Sequence, residues 1–290
     1  MLEGLERLEY RGYDSAGIAV LNDNNLTVCK TTERIKNLTE KTNGGKDIHG
    51  TTGIGHTRWA THGAPSDKNA HPHTSSDGKF AVVHNGIIEN YVALREELKA
   101  DGAEFKSETD TEVIPQLLAR CYTGDFFEAV AKTVKRLEGS YALGIICTDY
   151  PDTLIAVRKF SPLILGLSDD ANYIASDVTA IVSHTKDIMY IEDGEIAVLT
   201  PRGVKLYDGD KNELHREPAV INWDVSAAEK GGYDHFMMKE IMEQPAAVKQ
   251  TIESRINGRE IVFEGLRLNA EMLKTIEKID IVACGSAYHA

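Results

Sequence analysis

The sequence predicts an α+β protein in which antiparallel sheets are covered by helices. Between residues 15 and 207, many short apolar segments are separated by turn signals such as Asp193-Gly194 and Asp208-Gly209. The clearest helical periodicity in this region lies in one central block, between two sets of strands. There is no internal repeat and no low-complexity segment. This order of elements favours layered antiparallel sheets.

The chain begins with a helical pattern, because Leu2, Leu5 and Leu8 recur at helical spacing. No capping residue precedes this pattern, which already runs at residue 1. At the other end, residues 279–283 predict a buried strand, and Cys284-Gly285-Ser286 predicts the tight loop that opens a following helix. Since both ends stop inside an element, we expect this sequence to be a fragment.

The elements between these ends follow from apolar spacing. Strands are predicted at 16–21, 26–30, 53–58 and 80–85, and helices at 91–100, 111–120 and 126–137. Asp110 and Asp125 are placed to cap the second and third of these helices. Further strands are predicted at 141–147, 153–158, 163–167, 173–175, 189–191, 195–199 and 204–206.

The last quarter of the chain differs in composition. Residues 222–232 are typical of a loop and end in Gly231-Gly232, and helices are predicted at 236–243 and 246–256, with Pro245 in a first helical turn. We therefore predict a domain over 1–225 and a second, truncated segment over 226–290.

The composition excludes several classes of protein. A net charge of −13 without a basic stretch argues against nucleic-acid binding. The apolar runs are too short to span a membrane, and the charged amino terminus is not a secretory signal, so we expect a cytoplasmic protein. Four cysteines without CxxC spacing predict reduced thiols. No nucleotide-binding glycine motif occurs, and no cofactor is expected.

The run from His56 to Gly63 is the first candidate site. The planar fork of Arg58 suits a carboxylate, and Thr61 and His62 offer hydroxyl, backbone or ring contacts beside Trp59. Each residue has a simpler alternative. Arg58 can form a surface ion pair, and His62 can be a hydrogen-bonded histidine without a catalytic role. The glycines of this region permit a loop that closes on a substrate.

Asn85-Gly86 is the second candidate site. As a dipeptide it is a strong signal for a hairpin turn. The residues that follow lead into a helical pattern instead of a return strand. A side-chain amide and a glycine N–H at such a junction can form an oxyanion hole.

Two further motifs have simple alternatives. Asp110 can cap a helix, or it can bind the ammonium group of a substrate whose carboxylate Arg58 holds. His71-Pro72-His73 resembles a pair of metal ligands, but no partner stands at zinc-like spacing, so no metal is expected.

These motifs resemble one family over nearly the whole chain. Residues 8–17, 56–63, 84–90 and 107–113 are similar to the glutaminase domain of glutamine–fructose-6-phosphate aminotransferases (isomerising). Residues 236–245 resemble the segment that joins this domain to a sugar isomerase domain, and residues 283–289 resemble that domain's first loop. Amidophosphoribosyltransferases share the glutaminase motifs in looser form.

The resemblance implies an N-terminal-nucleophile hydrolase fold, a four-layer sandwich of two antiparallel sheets between helices. It implies glutamine hydrolysis by an amino-terminal cysteine, with ammonia delivered to fructose 6-phosphate in a homodimeric parent protein. By motif match, Asn85 and Gly86 form the oxyanion hole and Arg11 lies near the nucleophile. The substrate-binding residues implied by the same match are Arg58, Trp59, Thr61, His62, Asp110 and Ser286.

The chain departs from the family pattern at two places. The leading Cys-Gly strand is absent, and neither Met1 nor Leu2 carries a nucleophilic atom for this chemistry. In the final loop, Ala287 stands where the family usually has a hydroxyl residue. We therefore expect glutamine binding without efficient hydrolysis. The alternatives are a glutamine-binding module without catalysis and the glutaminase domain of an amidophosphoribosyltransferase.

Overall fold

The computed structural model describes residues 1–221, 232–253, 255–258, 260–261 and 270–282. The chain divides into two compact units, Met1–Glu229 and Lys230–Ala290. The predicted boundary near residue 225 falls outside the described residues and stays a prediction.

The first unit contains fourteen of the described strands and five of the described α-helices. The strands are β1 (Ser15–Asn22), β2 (Asn25–Thr31), β3 (Thr52–Arg58), β4 (His73–Thr74), β5 (Phe80–Ile88), β6 (Gly139–Cys147), β7 (Tyr150–Lys159), β8 (Ile164–Leu167), β9 (Asn172–Ala175), β10 (Asp187–Tyr190), β11 (Ile196–Thr200), β12 (Gly203–Tyr207), β13 (Glu213–Leu214) and β14 (Ala219–Val220). The helices are α1 (Leu2–Arg7), α2 (Ile35–Lys41), α3 (Tyr91–Ala100), α4 (Val113–Cys121) and α5 (Phe126–Val134).

These strands form three antiparallel sheets. A seven-stranded sheet has the order β13-β12-β11-β7-β6-β5-β4. A three-stranded sheet has the order β2-β1-β3, and a four-stranded sheet has the order β14-β10-β8-β9. The three-stranded sheet therefore ends at β3, and the four-stranded sheet ends at β9.

Successive side chains of a strand point to opposite faces of its sheet, so each sheet can pack against a layer on either side, and the unit has four layers. On one face of the seven-stranded sheet, Phe80 and Ile145 pack with Leu94, Leu117 and Phe126 of the helices α3 to α5. On its other face, residues of the three-stranded and four-stranded sheets pack against it.

Strand β1 shows this alternation directly. Ala19 and Leu21 face the seven-stranded sheet, whereas Ile18 faces Leu5 of α1 and Leu38 of α2. The order of layers is helices, sheet, sheets and helices, which confirms the predicted α+β sandwich.

The predicted helices and strands of this unit appear within a few residues of their expected bounds, and one of the two predicted caps is wrong. Asp125 caps α5 as predicted, since its carboxylate accepts from the N–H of Glu128 at 2.9 Å. Asp110 is not a cap, because α4 begins at Val113 after Glu112. Helix α2 was not predicted from the sequence.

The described part of the second unit departs from prediction. Helix α6 (Phe236–Glu253) runs unbroken through Pro245, where two helices were expected. A proline inside a helix removes one backbone donor and crowds the carbonyl four residues earlier, so a break was the simpler expectation. Short strands β15 (Ile256–Asn257) and β16 (Glu260–Ile261) and helix α7 (Ala270–Lys274) follow.

The strand predicted at 279–283 is wrong over its described part. Residues 279–282 form no strand, and Ile281 and Val282 are almost fully exposed. A buried strand needs neighbouring strands to pair with, and the described part of this unit offers none at that point.

Candidate active site

A cavity of about 770 Å³ lies in the first unit, between the seven-stranded sheet and the two smaller sheets. Its walls include all of β3, the β9 segment, and residues such as Asn85 and Ala142 of β5 and β6. Every predicted site residue of the first unit lines this cavity: Arg11, Arg58, Trp59, Thr61, His62, Asn85, Gly86 and Asp110. The fold therefore brings together residues that lie up to a hundred positions apart.

Arg58 ends β3 and is almost completely buried. One of its amino groups donates to the backbone carbonyls of His62 and, at 3.0 Å, Gly63. The other, Nη1, lies 3.8 Å from a carboxylate oxygen of Asp14 and is buried without a hydrogen-bond partner among the described residues. Arg58 thus holds the following loop, and its Nη1 lies beside the Asp14 carboxylate with unused hydrogen-bonding capacity.

Asp14 reaches Arg58 because of strand register. Ser15 pairs with Arg58 across β1 and β3, and the N–H of Asp14 donates to the Arg58 carbonyl at 3.2 Å. Burial lowers the pKa of Arg58, while the carboxylates of Asp14 and Asp110 act in the opposite direction. Asp14 was not predicted as a site residue, although its place just before β1 is a signal for an end-of-strand contact.

The loop of residues 59–63 borders the cavity. Trp59 is 61% exposed, and its ring meets that of Tyr13 edge-on at 5.3 Å. His62 lies 4.0 Å from Asp110 Oδ1 and 3.4 Å from the Thr61 hydroxyl. Gly63 has a positive φ of 77°, which favours glycine at the end of the loop. The predicted closing movement of this loop stays a prediction.

Asn85 and Gly86 lie inside β5, not in a hairpin turn and not at a junction with a helix. They pair with Ala142 and Tyr141 of β6. A Cβ on Gly86 would lie 2.1 Å from the Ser140 carbonyl oxygen, so this position needs glycine. The turn signal failed because Asn-Gly describes a local preference, and pairing with β6 continues the strand past it.

Asp110 occupies a buried position beside the same strand. Its Oδ2 accepts from the N–H of Ile88, the last residue of β5, at 2.8 Å. The bond ties the segment before α4 to the strand that carries Asn85. The backbone of Ile88 thus supplies a hydrogen bond to Oδ2, whereas the other carboxylate oxygen, Oδ1, faces His62.

Four buried histidines form a second, unexpected group, and three of them, His56, His71 and His84, also line the cavity. The rings of His56 and His71 stack at 4.3 Å between centroids, and His71 meets His73 at 4.9 Å. His84 Nδ1 contacts the Thr111 hydroxyl at 2.8 Å. Burial, the largest cause at each of the four, lowers their pKa values, that of His56 to about 4.

Neutral histidines in one buried group could suggest a metal. Among the described residues, no three or more histidine, cysteine or acidic side chains are placed to hold a metal ion. His71 and His73, which resembled a ligand pair in the sequence, instead make ring contacts and, for His73, a 3.0 Å contact with the Thr109 hydroxyl.

The cavity also lies between two open sheet edges, and we call the space between these edges the gap. It reaches from Thr51–Trp59, the open edge of the three-stranded sheet, to the β9 segment, the open edge of the four-stranded sheet. One strand between these edges would join both sheets into a single layer opposite the seven-stranded sheet. Met1 borders the gap, and its side chain packs against Gly53 and Gly55 of β3.

No cysteine of the described residues lines the cavity. Burial raises the pKa of Cys29 and raises that of Cys147 to about 11, which disfavours the reactive thiolate. Cys284, Ser286 and Ala287 lie outside the described residues.

Arg11 is exposed and donates to Asp177 at 3.5 Å. In the described part of the chain, no helix is long and apolar enough to cross a membrane.

Comparison with known proteins adds three findings. Residues 56–183, which include the cavity residues from Arg58 to Asp110, match the glutamine amidotransferase domain family. The whole chain is 55% identical to the glutamine–fructose-6-phosphate aminotransferase (isomerising) of Clostridium acetobutylicum and 50% identical to that of Aquifex aeolicus. The chain spans about half of these relatives, 48% of each.

Among solved structures, the chain is similar to the glutamine phosphoribosylpyrophosphate amidotransferase from Bacillus subtilis. The likeness has a TM-score of 0.64 and 27% identity, and it covers 73% of this chain and 46% of that one. A structure described as the allosteric regulatory enzyme of purine biosynthesis matches with a TM-score of 0.63, again at 27% identity, over the same shares of the two chains.

Proposed function

Because the chain belongs to the glutamine–fructose-6-phosphate aminotransferase family, we propose that its cavity is the glutamine site of a glutaminase. The observation that carries the proposal is that Arg58, whose buried Nη1 makes no hydrogen bond to the described residues, lines the same cavity as the Asp110 carboxylate and the Asn85-Gly86 pair. These groups are complementary to the three polar ends of glutamine: its carboxylate, its ammonium group and its side-chain amide.

Each contact has a defined chemical task in this proposal. The guanidinium of Arg58 binds the substrate carboxylate, and Asp110 binds the ammonium group. The loop of residues 59–63 closes over the bound molecule, with Trp59, Thr61 and His62 as its walls. The carbonyl of the glutamine side chain points at Asn85 and Gly86, whose N–H groups stabilise negative charge on its oxygen.

Hydrolysis then requires a nucleophile that faces this carbonyl. In the proposed reaction a cysteine thiolate attacks the side-chain carbonyl carbon, and the tetrahedral intermediate expels ammonia once its nitrogen has accepted a proton. Water cleaves the resulting thioester and yields glutamate. We place this cysteine at the start of a strand seated in the gap between β3 and β9.

For the whole protein we propose that the ammonia aminates fructose 6-phosphate in a second domain. Ser286 is the residue of this chain that we assign to the sugar phosphate, and a homodimer is the assembly we expect. The sedimentation of the full-length protein tests the second point. Amidophosphoribosyl transfer is less supported, since relatives of that type match at 27% identity and the aminotransferases at up to 55%.

The first experiment titrates the 290-residue chain with L-glutamine in a calorimeter. We expect binding with a Kd between about 10 µM and 1 mM, the usual range for enzyme substrates. N-acetyl-L-glutamine, which lacks the ammonium group, should not bind. No heat from glutamine at several millimolar would refute the site.

The second experiment measures glutamate formation. The 290-residue chain should show none, whereas a version extended at its amino terminus by a Cys-Gly-led strand should release glutamate and ammonia. The matched control begins the same strand with serine. Clear turnover by the unextended chain would contradict the proposed nucleophile, and so would equal rates with cysteine and serine.

A further inference from the structure

His56 is the residue behind the proposed oxyanion hole. It lies in β3, and Asn85 lies in β5, so the two side chains belong to different sheets. The distance between His56 Nε2 and Asn85 Oδ1 is 2.7 Å, short for a hydrogen bond between a nitrogen and an oxygen.

From this contact we infer that His56 is a positioning residue that sets which end of the Asn85 amide faces the cavity. In this assignment His56 Nε2 carries the proton and donates to Asn85 Oδ1. The Asn85 amide nitrogen is then turned toward bound glutamine as a donor. The inference rests on the proposed glutaminase function, but the contact itself can be tested without it.

The direction of the amide matters because its two ends are opposite in character. The nitrogen of a carboxamide donates hydrogen bonds, whereas its oxygen only accepts them. An inward nitrogen stabilises a developing oxyanion, and an inward oxygen would repel it. A single proton on His56 therefore decides whether Asn85 assists or opposes the reaction.

The surroundings of the ring favour the proton on Nε2. His56 Nδ1 is buried and has no hydrogen-bond partner among the described residues. A proton there would be a buried donor without an acceptor, whereas a bare nitrogen leaves only an unused lone pair, which is tolerated more often. The stacked ring of His71, 4.3 Å away, holds the imidazole plane in place.

The ring is also held neutral. Burial, the largest cause, lowers the pKa of His56 to about 4, and the positive charge of Arg58 acts in the same direction, although the hydrogen bonds with the Asn85 side chain and the His84 backbone oppose them. At neutral pH the imidazole therefore has one proton, and the two nitrogens have different roles. A doubly protonated ring would not distinguish them.

The direct test is the tautomer of His56 in the 290-residue chain. Long-range ¹H–¹⁵N correlation spectra of the histidine-labelled protein show which ring nitrogen carries the proton, and the His56 signal is identified by its loss in His56→Gln. We expect a proton on Nε2 from pH 5.5 to 8. A proton on Nδ1 would overturn the inference, because Asn85 would then have to donate to His56.

The functional test uses the active version extended by the Cys-Gly-led strand. His56→Leu should lower kcat by about 10- to 100-fold with KM nearly unchanged, since loss of a whole oxyanion-hole donor typically costs about 10² to 10³. His56→Gln retains a side-chain N–H and should recover part of the loss. His73→Gln, which removes a buried histidine of the same group without contact to Asn85, should keep the parent kcat.

A double-mutant cycle separates positioning from general damage. If His56 acts through Asn85, His56→Leu should lower kcat little further in a chain that already carries Asn85→Ala. Full additivity of the two losses would refute the inference. If the extended parent does not hydrolyse glutamine, the proposed function fails, and the NMR result still decides the contact between His56 and Asn85.

Discussion

Arg58 combines two tasks that a sequence motif does not separate. Its Nη2 anchors the backbone of the loop of residues 59–63, and its Nη1, which lies beside Asp14, is the donor that we assign to the substrate carboxylate. An arginine suits this arrangement because its donors diverge in one rigid plane. A lysine offers the same charge without the fork.

For Arg58 we predict a loss of glutamine affinity on substitution. Arg58→Gln should raise the Kd by about 30-fold or more, since removing one partner of a buried charge pair costs roughly 2 kcal/mol or more. Arg58→Lys should fall between this variant and the parent. Arg120→Gln, which breaks a surface ion pair with Glu97, is the control. Calorimetry checks the order, and equal Kd values for all four proteins would contradict it.

A substitution at Asp110 can separate the effect of its negative charge on glutamine binding from its effect on the fold. Asp110→Asn keeps a side-chain oxygen that can accept from the N–H of Ile88, so the segment before α4 stays in place. The negative charge is lost, and glutamine binding should weaken by about tenfold or more, because a charge-assisted hydrogen bond contributes roughly 1.5–3 kcal/mol. Circular dichroism should be unchanged. Unaltered affinity would assign the ammonium group to another residue.

At the scale of elements, β5 shows why pairing overrides local preference. The strand continues through Asn85-Gly86 to Ile88 because β6 supplies a partner at every position from Gly139 to Cys147. The φ of Gly86 is +133°, a backbone conformation that residues with a side chain rarely adopt. The Ser140 carbonyl also lies where a Cβ on this residue would have to be. A turn dipeptide is thereby used inside a strand.

This predicts a large effect for Gly86→Ala. The added Cβ would clash with the Ser140 carbonyl and strain the backbone, and the free energy of unfolding should fall by at least about 3 kcal/mol. The control is Gly78→Ala, at a positive φ of 73° with nothing within 4 Å, which should cost about 1 to 2 kcal/mol. Urea unfolding measures both. Equal losses in the two variants would show that the close approach is unimportant.

At the scale of the whole molecule, the histidine group joins elements that are distant in sequence. His56 belongs to the three-stranded sheet, whereas His73 and His84 belong to β4 and β5 of the seven-stranded sheet. Burial holds all four neutral, so the contact between the sheets depends on their staying unprotonated. Stability should therefore depend on pH.

We predict that the free energy of unfolding falls as the pH is lowered from 7.5 to 5.5. The folded pKa values lie below the ordinary value of 6.5, so the unfolded state binds more protons in this window. Over the full interval from 6.5 to about 4, His56 alone accounts for on the order of 3 kcal/mol.

Urea titrations at several pH values measure this slope. His71→Leu should be less stable at pH 7.5 but show a smaller slope, because one buried histidine no longer titrates. His49→Gln, on the surface, should leave the slope unchanged. A parent protein whose stability is flat between pH 7.5 and 5.5 would show that the group is not held neutral.

Much of the architecture follows from the sequence itself. Short apolar runs such as 16–21, separated by turn signals, placed the strands, and helical spacing placed α3 to α5, because these patterns reflect which parts of an element avoid water. The motifs around Arg58 and Asn85 were likewise predicted from the sequence as candidate sites, and both line the same cavity, while their chemical roles stay predictions.

Tertiary structure alone decided the rest. Asp110 accepts a hydrogen bond from the N–H of Ile88 instead of capping a helix. The rings of His71 and His73 meet edge-on, and His56 reaches Asn85 from another sheet. Each outcome depends on strand register and on which sheets face each other, and these are set by pairing between distant segments. Local spacing along the chain carries no record of such pairing.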